Sequence, residues 1–326
     1  MEKEVLFMNK KYLSFRTDMA DERVDTYKRV NNLSEIDGIK VENKVEDGVT
    51  TTVVDVLNEN GKEAVKKDIG RYITIDINET IDLKEDSDKI AKVLSNSINS
   101  MIDNDFKKSI LVVGLGNESV TPDSLGPKVI KNINVTRHIL NFAKDLVESN
   151  TRSVSAIAPG VLGTTGIETS EIVLSIVKSV KPDILIVIDN LASSSIHRIG
   201  NTIQLSNTGI TPGSGVRNKR EGINKDTVGI PVIAIGVPSV VDMATITNEA
   251  IDKMLYTAKE EINNFSNKLI EKKKVESIFE FLEKDTRYDM ISNILDTENY
   301  IVTPKEVDEL IVDMSSIIAD GINSSM

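Results

Sequence analysis

From residue 108 onward, short β-branched apolar runs alternate with stretches of helical periodicity. This alternation constrains the fold more than any other feature. The spacing predicts strand 109–113, helix 124–132, helix 137–148, strand 153–158, helix 168–180, strand 183–189, strand 231–236 and helix 242–264. Strands alternating with helices imply a mostly parallel sheet with helices on both faces, an α/β architecture. A long polar, Gly-rich segment lies between Leu191 and Gly229 and contains Ile203-Gln204-Leu205-Ser206 and Pro212-Gly213-Ser214-Gly215. A segment of this length inside a compact domain is functional, or an excursion with a short hairpin of its own.

The chain before residue 108 has a different texture. A helix is expected over Met19–Val30, with acids in its first turn at the positive end of the helix dipole. Val49–Leu57 is β-branched, Asn58-Glu59-Asn60-Gly61 reads as a turn, and Arg71–Ile77 alternates as a half-buried strand does. Ser87–Ile102 has helical spacing. Near the end, Thr303-Pro304-Lys305-Glu306 has the pattern of a helix start, with Thr as cap, and an apolar stripe follows to about Ile322. The expected organisation is a short N-terminal extension, residues 1–18, and a single domain over 19–326. That domain divides into a β-rich part (19–107), an α/β core (108–264) and C-terminal helices (265–326).

Composition narrows the chemistry. The chain has 326 residues, a formal net charge of −12, two histidines and no cysteine. The missing cysteines remove disulfides, thiolate nucleophiles and Cys-based zinc sites. The acidic balance argues against a basic surface for nucleic acid. Neither a secretory signal at the N-terminus nor an apolar run long enough to span a bilayer is found, so a cytoplasmic protein without membrane contact is expected. His138 and His197 are the only candidates for a His-based triad. Acid–base chemistry here falls to Asp or Glu.

Three strand ends deliver suggestive loops. The first is Val112–Pro127, where Gly114-Leu115-Gly116-Asn117 breaks a buried strand and Asp123 follows Pro122. The second, Ala158–Thr169, holds Gly163, Gly166 and Glu168. The third begins Asp189-Asn190-Leu191-Ala192 after a five-residue aliphatic run. In a doubly wound sheet such loops share one edge, so Asp123, Glu168 and Asp189 can share a cleft. Two acids in one cleft can split their titrations, one ionised to activate water and one protonated to supply a leaving amine. The bland alternative is an acid that caps the next helix, at Asp123 and at Asp189 alike. The P-loop and dinucleotide fingerprints are absent, and no cofactor is expected. A divalent metal on Asp123, Glu168, Asp189 and His197 is chemically allowed.

These loops resemble the germination protease family, the spore endopeptidases of bacilli and clostridia. The matching stretches are Arg16–Ala20, Val112–Pro127, Ser155–Thr169, Val187–Ala192, Gln204–Gly215, Gly236–Asp242 and Thr303–Glu306. The resemblance implies an atypical aspartic endopeptidase that starts the degradation of small acid-soluble spore proteins at germination. It also implies a homotetramer in the forespore or spore core, and a zymogen that removes its own propeptide. The family's catalytic pair maps onto Asp123 and Asp189, and its processing junction onto Asp18 and Met19. Gly114, Gly116, Asn117, Gly163 and Glu168 are expected to line the substrate cleft, with no metal. Family substrates are cut after an acid and before a large apolar residue, then Ala, in a run ending in Glu. Thr17-Asp18-Met19-Ala20-Asp21-Glu22 has that form. If one acid must carry a proton, lowered pH favours processing. Where the family has Asp-Ala-Leu-Ala-Ser-Arg, this chain has Asp189-Asn190-Leu191-Ala192-Ser193-Ser194. The strand–Gly-Leu-Gly-Asn–Asp arrangement is also similar to hydrogenase-maturation proteases, which implies a core of their kind and keeps a carboxylate–metal mechanism as the alternative. An inactive peptide-binding module is the other alternative.

Overall fold

A strand with no polar residue over five positions has to be covered on both faces, and such strands hold the centre of the sheet. The structure, a computed structural model, describes residues 17–46, 48–78, 80–102, 105–143, 145, 151–211, 222–265, 290–291 and 300–326. In chain order its elements are α1 (Ala20–Asn31), β1 (Ile39–Glu46), β2 (Val49–Val56), α2 (Glu59–Val65), β3 (Gly70–Ile77), α3 (Ser87–Met101), β4 (Ile110–Gly114), α4 (Leu125–Lys131), α5 (Arg137–Phe142), β5 (Val154–Ile157), α6 (Leu162–Thr165), α7 (Thr169–Val180), β6 (Ile184–Ala192), β7 (Thr202–Ser206), α8 (Lys225–Val228), β8 (Val232–Asp242), α9 (Met243–Phe265), β9 (Ile301–Val302) and α10 (Val307–Ser324). Residues 1–16 of the expected propeptide, Pro212–Gly215, and 266–289 and 292–299 of the C-terminal part lie outside the described residues.

One sheet runs β1-β2-β3-β7-β8-β6-β4-β5. The four strands β8, β6, β4 and β5 are parallel, as the alternation with helices requires, and α/β in character. The N-terminal β-rich part extends this sheet: β1, β2, β3 and β7 pair antiparallel and join it at β8. The excursion after Leu191 thus contributes β7, a strand buried at every position.

Side-chain alternation builds two layers. Ile73, Ile75, Ile110, Val112, Ile186, Ile188, Ile203 and Ile235 face one way, onto Leu94 and Ile98 of α3, Leu125 and Val129 of α4, and Met314 and Ile318 of α10. The 18-residue stripe of α10 therefore finds its partner inside this core. On the other face Leu111, Val113, Leu185 and Val187 meet Val173 and Val177 of α7. Ala20 and Val24 of α1 cover Val54, Val56 and Tyr72 of the antiparallel half. Among the described residues, no helix is long and apolar enough to cross a membrane.

Several local expectations change. Asn58–Gly61 does not close a hairpin: Asn58 Oδ1 accepts the Gly61 N–H at 2.9 Å and starts α2. An Asx cap and an Asx turn share their first residues, so the sequence pattern is the same for both. Helix 137–148 is described only as Arg137–Phe142. Thr303 does not cap α10, which begins at Val307; its hydroxyl donates to the Ser239 carbonyl at 3.0 Å. β6 and β8 both run past the predicted ends, so Asp189 lies within a strand, where the sequence had it ending one.

Candidate active site

Register brings the site together. Asp189 of β6 pairs with Gly236 of β8, Gly236 with Gln204 of β7, and Gln204 with Thr74 of β3. Side chains in one row of a sheet leave the same face. This row emerges on the face of Val187 and Tyr72, between the parts covered by α7 and by α1. Gly236 has no side chain, and a Cβ there would meet Leu191 Cγ at 2.4 Å, so a slot is left between Asp189 and Gln204. A cavity of about 250 Å³ opens here, lined by Asp18, Lys67, Asp189, Gln204 and Gly236 among others.

Asp123 approaches Asp189 from the loop after β4, near enough for its charge to act on it. The turn Thr121–Asp123 packs against β6 and β8, and Ser239 Oγ donates to the Pro122 carbonyl at 2.7 Å. Asp123 Oδ2 accepts the Asn117 N–H at 2.8 Å. Gly116, at φ +110°, makes this possible: a Cβ would lie 2.0 Å from the Asp123 carbonyl oxygen. Neither acid caps a helix. Asp123 ties its own loop, and Asp189 Oδ1 accepts the adjacent Asn190 N–H at 2.9 Å.

Both acids are pushed up. Burial raises Asp123, against the Asn117 N–H. Asp189 is 8% exposed, and burial carries it to about 8; the Asn190 N–H opposes this, and the nearby Asp123 and Asp18 carboxylates add to it. Asp189 thus holds its proton at neutral pH.

The segment Thr17–Glu22 is seated across the cavity. The Asp18 N–H donates to the Ala192 carbonyl at 2.8 Å, and the Ala192 N–H donates to Asp18 Oδ2 at 2.8 Å. The Asp18 carbonyl oxygen accepts from Lys67 Nζ at 2.6 Å and from Gln204 Nε2 at 3.0 Å. Gln204 Oε1 accepts the Ala20 N–H at 2.7 Å, so one amide side chain holds the backbone on both sides of Met19. Met19 is fully buried, and its N–H donates to Thr17 Oγ1 at 3.0 Å. Farther on, Arg198 Nη2 pairs with Asp21 Oδ2 at 2.6 Å and Arg198 Nε lies 3.5 Å from Glu22 Oε1. Glu22 Oε2 accepts the Ser194 N–H at 2.9 Å. Burial raises the Glu22 carboxyl despite the Thr17 hydroxyl, Ser194 N–H and Arg198.

Of the residues expected from the sequence, Asp18 and Asp189 line this cavity, with Met19 buried beside Asp18; Asp123, packed with Gly116 and Asn117, lies near enough for its charge to act on Asp189. Gly114 closes the end of β4 against Gly126: a Cβ there would lie 2.2 Å from the Gly126 carbonyl oxygen. Gly163 and Glu168 do not line the cavity; Gly163 has open space around it. His197 lies in the short turn Ile196–Arg198, where its N–H donates to Ser195 Oγ at 3.3 Å. Among the described residues no three His, Asp or Glu side chains form a group that could hold a metal ion. Sequence reasoning missed Lys67, Arg198 and the role of Gln204. Gln204 carried a faint signal, a polar residue inside an alternating strand, but its row is set by long-range register.

A family model described as germination protease matches residues 16–272. The chain is 45% identical over 315 residues to a germination protease of Clostridium perfringens, covering 95% of this chain and 94% of that one. It is 44% identical to one of Caldanaerobacter subterraneus over 324 residues, 96% and 94% of the two chains. It is 42% identical to one of Priestia megaterium over 365 residues, 100% and 96%. Among solved structures, a NiFe hydrogenase maturation protease of Thermococcus kodakarensis aligns at 19% identity and a TM-score of 0.29, over 45% of this chain and 80% of that one.

Proposed function

The chain belongs to the germination protease family, and from that premise we propose that it is made as a zymogen that cuts its own Asp18–Met19 bond with Asp123 and Asp189. The observation that carries the reading is the seating of Asp18, whose carbonyl oxygen is held in the cavity that Asp189 lines. Asp189, protonated up to about pH 8, is the proton donor. Asp123, steadied by the Asn117 N–H, is the base.

In this mechanism water gives a proton to Asp123 as its oxygen bonds to the Asp18 carbonyl carbon. The carbonyl π pair moves onto oxygen. Collapse of that intermediate breaks the bond to the Met19 nitrogen, which takes the proton of Asp189 and leaves as an amine. Both acids are raised by burial, Asp189 to about 8, and unequal environments of this kind are a basis for such a division of labour. The same cleft, once residues 1–18 are gone, takes segments of like sequence from small acid-soluble spore proteins in the spore core, with the enzyme assembled as a homotetramer and without a metal.

The test uses the full chain. N-terminal sequencing after incubation is expected to find Met19 as the new first residue in the wild type, and no such product from Asp123→Asn or Asp189→Asn. Wild-type cleavage in either variant overturns the acid pair. Loss of cleavage on adding a chelator, restored by a divalent ion, overturns the metal-free mechanism.

A further inference from the structure

The geometry points to Lys67 and Gln204 as an oxyanion clamp that stabilises the negative charge developing on the Asp18 carbonyl oxygen as the Asp18–Met19 bond is cut; this rests on the reading above. Two donors from different elements converge on one main-chain oxygen, Lys67 Nζ at 2.6 Å and Gln204 Nε2 at 3.0 Å. These are the distances at which fixed donors act on an oxyanion.

Both donors are in place while the Asp18–Met19 bond is intact. Lys66 closes α2 in the left-handed conformation (φ +54°), and the next residue, Lys67, turns toward the cavity. Its ammonium lies 5.9 Å from the centre of the Tyr72 ring. Among the described residues no carboxylate pairs directly with Lys67; burial pulls its pKa down, and the Asp18, Asp21 and Asp68 carboxylates oppose this from farther away. Gln204 is fixed by β7, and its Oε1 is occupied by the Ala20 N–H, which leaves Nε2 aimed at the Asp18 carbonyl.

Burying an ammonium against a neutral amide oxygen is an expensive way to anchor a chain. A neutral donor satisfies such an oxygen, and Gln204 already does so. The charge becomes worthwhile when the oxygen itself becomes negative, as it does after water bonds to the carbonyl carbon. The clamp then strengthens in the transition state while the acids move the protons. A simple latch that holds the propeptide in place has the same ground-state contacts but the opposite kinetic signature. Loosening a latch leaves processing unchanged or speeds it.

The experiment compares self-cleavage of full-length wild type, Lys67→Met, Lys67→Arg, Lys67→Ala and Gln204→Leu, by intact mass, with thermal unfolding of each chain alongside. The clamp predicts that Lys67→Met slows cleavage at Asp18–Met19 by about 10²–10³-fold with the fold retained. It also predicts that Lys67→Arg keeps part of the rate, and that propylamine partly restores Lys67→Ala. Cleavage by Lys67→Met at or above the wild-type rate overturns the clamp and leaves the acid pair standing. If Lys67→Met does not fold, Gln204→Leu decides: a wild-type rate there overturns the clamp, and a slowed rate in a folded chain supports it. A wild type that does not cut at Asp18–Met19 overturns the parent reading and the clamp with it.

Discussion

Gln204 and Asp189 stand in one row of the sheet, two strands apart, with only the backbone of Gly236 between them. The row joins the two halves of the fold: Asp189 comes from the parallel part and Gln204 from the antiparallel part. Thr17–Glu22 lies across the gap, hydrogen-bonded to β6 through Ala192 and to β7 through Gln204. The site therefore needs the N-terminal strands and the α/β core in one register.

Gly236→Ala should disable the site. Its Cβ would approach buried Leu191 at 2.4 Å, and an overpacked core position of this kind loses about 1–3 kcal/mol. The methyl group also fills the slot, so self-cleavage should fall further than the loss of stability alone explains. Gly163→Ala is the contrast: no atom lies within 4 Å, and the residue is in the short helix α6, where alanine is the better former. Stability should hold or rise by up to about 1 kcal/mol, and cleavage should be unchanged. Melting curves with N-terminal sequencing check both, and an inert Gly163→Ala would return that loop to the cleft.

Asp189 predicts a pH signature. Its pKa rises from 3.8 to about 8 on folding. A carboxyl raised by folding stabilises fully below its unfolded pKa, and that contribution is lost as pH rises through the folded value. Asn imitates the protonated acid and does not titrate. Asp189→Asn should therefore match the wild type near pH 4 and become the more stable chain as pH rises to about 8, by on the order of a few kcal/mol. Thermal unfolding of the pair across this range measures the difference, in which other groups largely cancel. A gap that stays flat with pH would show that Asp189 is not held protonated. On the proposed mechanism the same titration should set the alkaline limb of self-cleavage near pH 8.

The α/β core was legible because its strands are aliphatic throughout and its helices carry apolar stripes; Ile184–Ile188 can hardly be anything but a central strand. The two acids were legible for a related reason: Asp189 directly follows such a run, and Asp123 lies in the glycine-bearing loop after another. What was not legible depends on register. Asp189, Gly236, Gln204 and Thr74 are widely spread in sequence, and nothing local says that they share a row. Lys67 follows a short helix that begins with an Asx pattern, and a lysine there reads as solvated. Arg198 sits in an irregular stretch with no periodicity. Its importance comes from Asp21, Glu22 and Asp76, all brought to it by the tertiary fold.

Asn190→Ala, which restores the residue of the family pattern, should be close to silent. Asn190 Oδ1 accepts the Leu125 N–H at a long 3.3 Å, while its Nδ2 is buried without a partner. Removing the side chain loses a weak bond at the start of α4, but it also removes an unsatisfied donor, and the two effects offset to within about 1 kcal/mol. Denaturant unfolding and the rate of self-cleavage should both match the wild type. A rate as low as that of Asp189→Asn would place Asn190 in the chemistry.

Arg198→Met should unbalance the acidic stretch after the Asp18–Met19 bond. Arg198 is mostly buried and faces Asp21, Glu22 and Asp76, while Asp76 is also held by the Thr202 hydroxyl at 2.7 Å. Removing the cation leaves buried carboxylates without their partner, a loss of about 3 kcal/mol or more. The double substitution Asp21→Asn, Glu22→Gln should recover much of that stability in the Arg198→Met background and much less in the wild type. This non-additivity identifies the interaction. If the cleft takes external peptides as it takes residues 17–22, the processed enzyme should also prefer Glu over Gln at the fourth position after the cut, through kcat/KM, and Arg198→Met should lose that preference. Kinetics on the two peptides measure it; an undiminished preference in the variant would move recognition of that acid to the Ser194 N–H, which already donates to Glu22.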